Sequence, residues 1–225
     1  MAQGLFVTAT RRGQGKTWLI RGIARSLRRK DVRVAALKPI EMACTPEPKD
    51  AFVLSRTCME PQLVDGRDFY RVASPHSPYA ATLEGAPPPA DTDRIASSIR
   101  SITGGFPVAL VEGVGGLMTP IDRERVVADL ALEVGFPLLI VARDQAGVVD
   151  DVLMATEAAR ARGLKLSAVV LVRPEVTGSD YTRGTNQRIL AQRLTAPVRI
   201  FPSSRDDDNA LADAADSADL PDLLS

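Results

Sequence analysis

Residues 5–17 read LFVTATRRGQGKT: a short apolar, β-branched run, a loop bearing Gly13 and Gly15, then Lys16 and Thr17 opening a stretch of good helix formers. Strand, glycine-bearing loop and helix come in the order a phosphate-binding loop requires. Gly13 and Gly15 let backbone N–H groups around Gln14 turn inward on phosphate oxygens, and the helix N-terminus adds its partial positive charge. Lys16 then reaches the β and γ phosphates, and the Thr17 hydroxyl binds Mg²⁺. The strict GxxxxGK[ST] spacing is not met, because Thr10 stands where its first glycine belongs and the nearest small residue, Ala9, lies one position earlier.

Outward from this loop, short apolar runs recur at 32–37, 108–111, 137–142, 168–172 and 198–201, each reading as a buried strand. Helical periodicity fills the intervals at 17–29, 126–134, 149–162 and 185–194. This alternation predicts an α/β fold, a parallel sheet flanked by helices and P-loop NTPase-like, as a single domain over 1–225. The segments 44–60 and 86–90 interrupt the rhythm, and such insertions near strand ends are where α/β folds build ligand sites. The acidic tail, 206–222, reads as partly helical or mobile.

The run 107–111 ends in Glu112 and the loop Gly113, Val114, Gly115, Gly116. An acid at the end of a strand parallel to the loop-bearing one is where a carboxylate holds magnesium or its water shell. Lys38 and Pro39, ending the second strand, offer another cation on the same sheet edge. Lys plus Arg and Asp plus Glu both number 28, so no global field draws nucleic acid or an anionic membrane surface. With two cysteines, Cys44 and Cys58, and no secretory or membrane-length apolar segment, a cytoplasmic protein is expected. His76, the single histidine, reads as a loop hydrogen-bonding residue and Trp18 as a packing residue.

Six stretches together resemble the dethiobiotin synthetases, the ATP-dependent carboxylases of biotin synthesis: FVTAT with GKT (6–17), ALKPI (36–40), KDA (49–51), SPYAATLEG (77–85), VEGVGGLMTPI (111–121) and FPLLIVAR with Gly147 (136–147). The family's phosphate loop has the longer spacing seen here. The resemblance implies ATP and Mg²⁺ as cofactors, with Lys16 and Lys38 stabilising developing phosphoryl charge and Thr17, Asp50 and Glu112 serving magnesium. It implies a diamine, 7,8-diaminopelargonic acid, and CO₂ as small-molecule substrates, and a homodimer with substrate near the subunit interface. A carbamate formed on one amine is phosphorylated, and the second amine closes the cyclic urea with release of phosphate.

The chain departs from the family at four places. Arg11, Arg12 and Gly13 replace a polar, often acidic, loop centre, and Arg11 aligns with a lysine that acts across the dimer in the deviant Walker ATPases of chromosome partitioning. Ile40, Glu41, Met42 and Ala43 replace small residues that admit the diamine, which predicts a bulky, charged wall. Asp150 and Asp151 open the helix after Gly147, where the family holds the substrate carboxylate; they suit the helix dipole as caps yet repel that group. Val172 and Arg173 stand where an Asn-Asp pair reads adenine. These departures leave a second reading, a nucleotide-binding regulatory protein or an enzyme for another substrate.

Overall fold

The computed structural model describes residues 2–173 and 183–224. Six strands form one sheet: β1 (Gln3–Ala9), β2 (Val34–Leu37), β5 (Val108–Glu112), β6 (Leu138–Arg143), β7 (Leu166–Val172) and β8 (Val198–Phe201), in the order β2-β5-β1-β6-β7-β8. Every neighbouring pair is parallel. Their near-continuous apolar sequences follow from this, because a parallel sheet is covered on both faces and both sets of side chains must be buried. Along β6 and β7 the alternation is visible. Leu139, Val141, Ala168 and Val170 join the main core, while Ile140, Ala142, Val169 and Leu171 join a second cluster under α6 (Val148–Ala161) and α7 (Arg183–Arg193).

The pairing register places the site. Val7 of β1 lies opposite Glu112, and Ala9 lies opposite Val141. The chain leaving β1 therefore emerges between the ends of β5 and β6, where α1 (Lys16–Arg29) begins. A second, two-stranded parallel sheet, β3 (Ile40–Met42) with β4 (Tyr70–Val72), sits beside the C-terminal end of β2 and leads to α2 (Lys49–Cys58). Further helices are α3 (Pro78–Leu83), α4 (Thr92–Thr103) and α5 (Val127–Val134).

The interrupting segment 44–60 thus contains a helix, and the acidic tail forms another, α8 (Asp208–Ser217), capped by Asp207, whose side chain accepts the N–H groups of Asn209 and Ala210. It packs on α1 so closely that a Cβ at Gly22 would stand 2.5 Å from the Leu211 carbonyl oxygen. Its acids meet α1's basic face, with Arg21 on Asp208 at 2.8 Å and Arg29 on Asp213 at 2.6 Å. Such half-exposed pairs contribute at most about 1 kcal/mol each. Burial of Leu211, Ala212 and Ala215 contributes more of the docking energy.

Candidate active site

The loop between β1 and α1 turns on two left-handed glycines, Gly13 at φ 77° and Gly15 at φ 94°, a conformation that carries little strain only without a Cβ. Lys16 follows at the first helical position. It is 6% exposed and donates from Nζ to the Gly115 carbonyl at 2.9 Å. Burial lowers its pKa to about 8, with help from the Lys38 charge and against the pull of Glu112 and Asp50. The Gln14 side chain accepts the Arg143 N–H at 2.7 Å, fastening the loop to the end of β6.

At the end of β5, Glu112 is 1% exposed and takes three of the expected residues into one cluster. Its Oε1 accepts from Thr17 Oγ1 at 3.1 Å and from the Lys38 ammonium. Lys38, 5% exposed, also stands 3.4 Å from Asp50 Oδ2. Burial alone lowers the Lys38 pKa, but Glu112 and Asp50 outweigh it and the net direction is upward. Glu112 Oε2 is buried without a hydrogen-bond partner among the described residues.

That orphaned oxygen, on the same carboxylate that the Thr17 hydroxyl meets through Oε1, fits a hard cation. Magnesium takes one or two carboxylates and fills its octahedron with water and substrate phosphates. Lys16, Thr17, Lys38, Asp50 and Glu112 all line one cleft of about 1390 Å³. This exceeds the ~300–1,000 Å³ of a single small-molecule site and leaves room for a nucleotide and a second substrate.

Several of the residues that depart from the family pattern find partners close by. Arg11 reaches across to Asp151 in the first turn of α6, so the extra positive charge of the loop neutralises the acid that sequence places against an incoming carboxylate. Arg11 is thereby paired within its own chain. Arg12 donates to the Pro75 carbonyl at 2.5 Å. Glu41 is buried, and its carboxylate is turned onto α2's first turn rather than standing as a free charged wall. Arg173 donates to Asp144 at 3.4 Å, and Asn186 donates to the same buried carboxylate at 2.9 Å. His76 faces Glu84 at 3.5 Å, while Trp18 is 38% exposed on the cleft rather than packed inside.

Sequence reading missed Gly116's task. A Cβ there would lie 2.9 Å from the Thr10 carbonyl oxygen and 3.0 Å from that of Ala9, so the loop after β5 presses on the phosphate loop backbone. The signal was the glycine run itself, whose neighbour only the fold supplies. The far wall of the cleft, Phe201 to Asp206, was also unmarked.

A family model described as an AAA domain matches residues 3–200. Among curated proteins, the ATP-dependent dethiobiotin synthetase of Anaeromyxobacter sp. (strain Fw109-5) is 36% identical over 171 residues, 75% of this chain and 76% of that one. The enzyme of the same name from Acidiphilium cryptum (strain JF-5) is 33% identical over 219 residues, 93% of this chain and 97% of its own. Solved structures with the same fold include the cell division ATPase MinD of Pyrococcus furiosus, with a TM-score of 0.60 at 14% identity, covering 98% of this chain and 99% of that one. The septum site-determining protein MinD of Pyrococcus horikoshii OT3 aligns with a TM-score of 0.57 at 15% identity, over 95% and 86%.

Proposed function

The chain belongs to the ATP-dependent dethiobiotin synthetase family, and from that premise we propose how its own residues divide the work. The activity is that of an ATP-dependent ligase of biotin synthesis. The observation that carries the residue assignment is the convergence of Lys16, Thr17, Lys38 and Glu112 at the mouth of the phosphate loop.

The backbone N–H groups from Gly13 to Thr17 cradle the triphosphate, and α1 directs its N-terminus at it. Lys16 moves from the Gly115 carbonyl onto the transferred phosphoryl group, where a negative partner restores its preference for the charged form. Thr17, Glu112 and Asp50 hold magnesium, which supplies charge neutralisation at the phosphates when bound. Lys38 stands between Glu112 and Asp50 and faces the charge that develops on carbamate and phosphoryl oxygens.

In the reaction these groups serve, one amine nitrogen of the diamine bonds to CO₂ and loses a proton. The carbamate oxygen takes the γ-phosphoryl group as ADP leaves. The second amine attacks the carbamoyl carbon, expelling inorganic phosphate and closing the urea. Positioning accounts for much of the acceleration, since both attacks become intramolecular within the cleft. The Arg11 to Asp151 pair offsets one of the two acids in the first turn of α6 and so lessens the repulsion of a substrate carboxylate there. A homodimer acting in the cytoplasm, with no nucleic-acid or membrane partner, completes the reading.

Genetic complementation tests it. In a strain lacking its own dethiobiotin synthetase, this chain restores growth without biotin and its Lys16→Ala variant does not. Growth restored equally by both would remove Lys16 from the chemistry.

A further inference from the structure

Glu41 is a buried carboxylate that the reaction leaves without a task. It lies at the centre of β3 and is 4% exposed. Its Oε1 accepts the backbone N–H of Asp50 at 2.7 Å, and its Oε2 accepts that of Ala51 at 2.9 Å. These are donors of α2's first turn, which have no partner within their own helix. The residue before the helix, Pro48, provides no side-chain cap, so a strand residue nine and ten positions before the two donors does what a local Ser or Asp ordinarily does. Burial pushes the Glu41 carboxyl upward, and the two N–H bonds and the Lys38 charge pull against it.

The residue gripped by its backbone is Asp50, whose carboxylate stands 3.4 Å from Lys38 Nζ, and Lys38 in turn pairs with Glu112. A continuous path therefore runs from Glu41 through the Asp50 main chain and side chain to the buried acid at the phosphate loop. We infer that Glu41 is a positioning residue for the magnesium site: by fixing the first turn of α2 it sets where the Asp50 carboxylate stands. This rests on Asp50 serving magnesium. Glu41 acts through Asp50, and its loss is felt at the metal before it is felt at the nucleotide.

The experiment titrates Mg²⁺ into protein holding a non-hydrolysable ATP analogue and reads the half-saturating Mg²⁺ by calorimetry. The proteins are the wild type, Glu41→Ala, Asp50→Ala and the double variant. A second carboxylate-removing variant, Glu41→Gln, keeps the size and one acceptor. Outer partners of metal ligands commonly shift metal affinity by about 10- to 100-fold. The expected result is that Glu41→Ala raises half-saturating Mg²⁺ about 10-fold or more, with metal-free affinity for the analogue unchanged. The double variant then matches Asp50→Ala alone.

If thermal melting shows Glu41→Ala unfolded, Glu41→Gln carries the test with a shift in the same direction. Wild-type Mg²⁺ dependence in a folded Glu41 variant, when Asp50→Ala shifts it, overturns the inference and leaves the magnesium assignment standing. Multiplying effects in the double variant also overturn it, because the two residues then act independently. No shift in Asp50→Ala removes Asp50 from the magnesium site and the inference with it.

Discussion

Replacing Lys38 by methionine keeps the side chain's length and removes its charge, and the structure sets the size of the consequence. Lys38 is buried, and its ammonium is the charged partner of Glu112, an acid with 1% exposure. With Lys38 gone, Thr17 Oγ1 remains as a donor to Glu112 Oε1, and Oε2 stays without one among the described residues. Truncating one partner of such a buried pair costs about 3–5 kcal/mol, because the other charge is left uncompensated. The Asp50 contact adds little, since that carboxylate is 43% exposed.

At about 2–4 °C per kcal/mol for a chain of this size, the melting temperature falls by about 6–20 °C. The sign with pH follows from the upward direction of the Lys38 pKa. The stabilisation is complete below the ordinary lysine value and is lost as pH rises through the folded one. Urea denaturation at pH 7.5, without nucleotide or metal, measures the loss. Adding Glu112→Gln to Lys38→Met removes the stranded charge and recovers at least half of it. A loss under about 1 kcal/mol, as at a surface lysine, or a double variant less stable than Lys38→Met, refutes the reasoning.

Lys16, with its pKa lowered to about 8, takes up a proton when phosphates bind at higher pH. Metal-free ATP affinity therefore falls about tenfold per pH unit above 8, calorimetry in two buffers counts the proton, and a flat profile contradicts the assignment. Gly116→Ala drives a Cβ against the Thr10 and Ala9 carbonyl oxygens, which are backbone and cannot swing aside. It is expected to lose about 1–3 kcal/mol in urea and to weaken nucleotide binding. Arg11→Ala releases the partly exposed Asp151, lowering stability by less than about 1 kcal/mol while raising the KM for diaminopelargonate several-fold. Asp151→Asn in the same background restores it.

The elements legible in sequence are those whose burial is decided locally. The apolar runs at 137–142 and 198–201 became β6 and β8, and the helix read from Thr17 begins one residue earlier, at Lys16. The phosphate loop, Glu112 and Lys38 were also legible, because strand order and glycine spacing place them on one edge. What escaped depends on distant partners. The acidic tail reads as partly helical or mobile, and its helix is there, but its docking site, α1's basic face, lies more than 180 residues away in sequence. The helix α2 lacks a cap of its own, and the acid that caps it lies in a strand that reads as pocket wall. The charge of Asp151 reads as repulsion only while Arg11 is thought free.

The central claim is that this cleft couples ATP to closure of a urea on a diamine. The direct measurement is phosphate release from ATP with magnesium and bicarbonate, with and without 7,8-diaminopelargonic acid, alongside mass spectrometry of the products. The account predicts release that depends on the diamine, with one phosphate for each dethiobiotin formed. Tight ATP binding with no diamine-dependent phosphate and no dethiobiotin mass would contradict it.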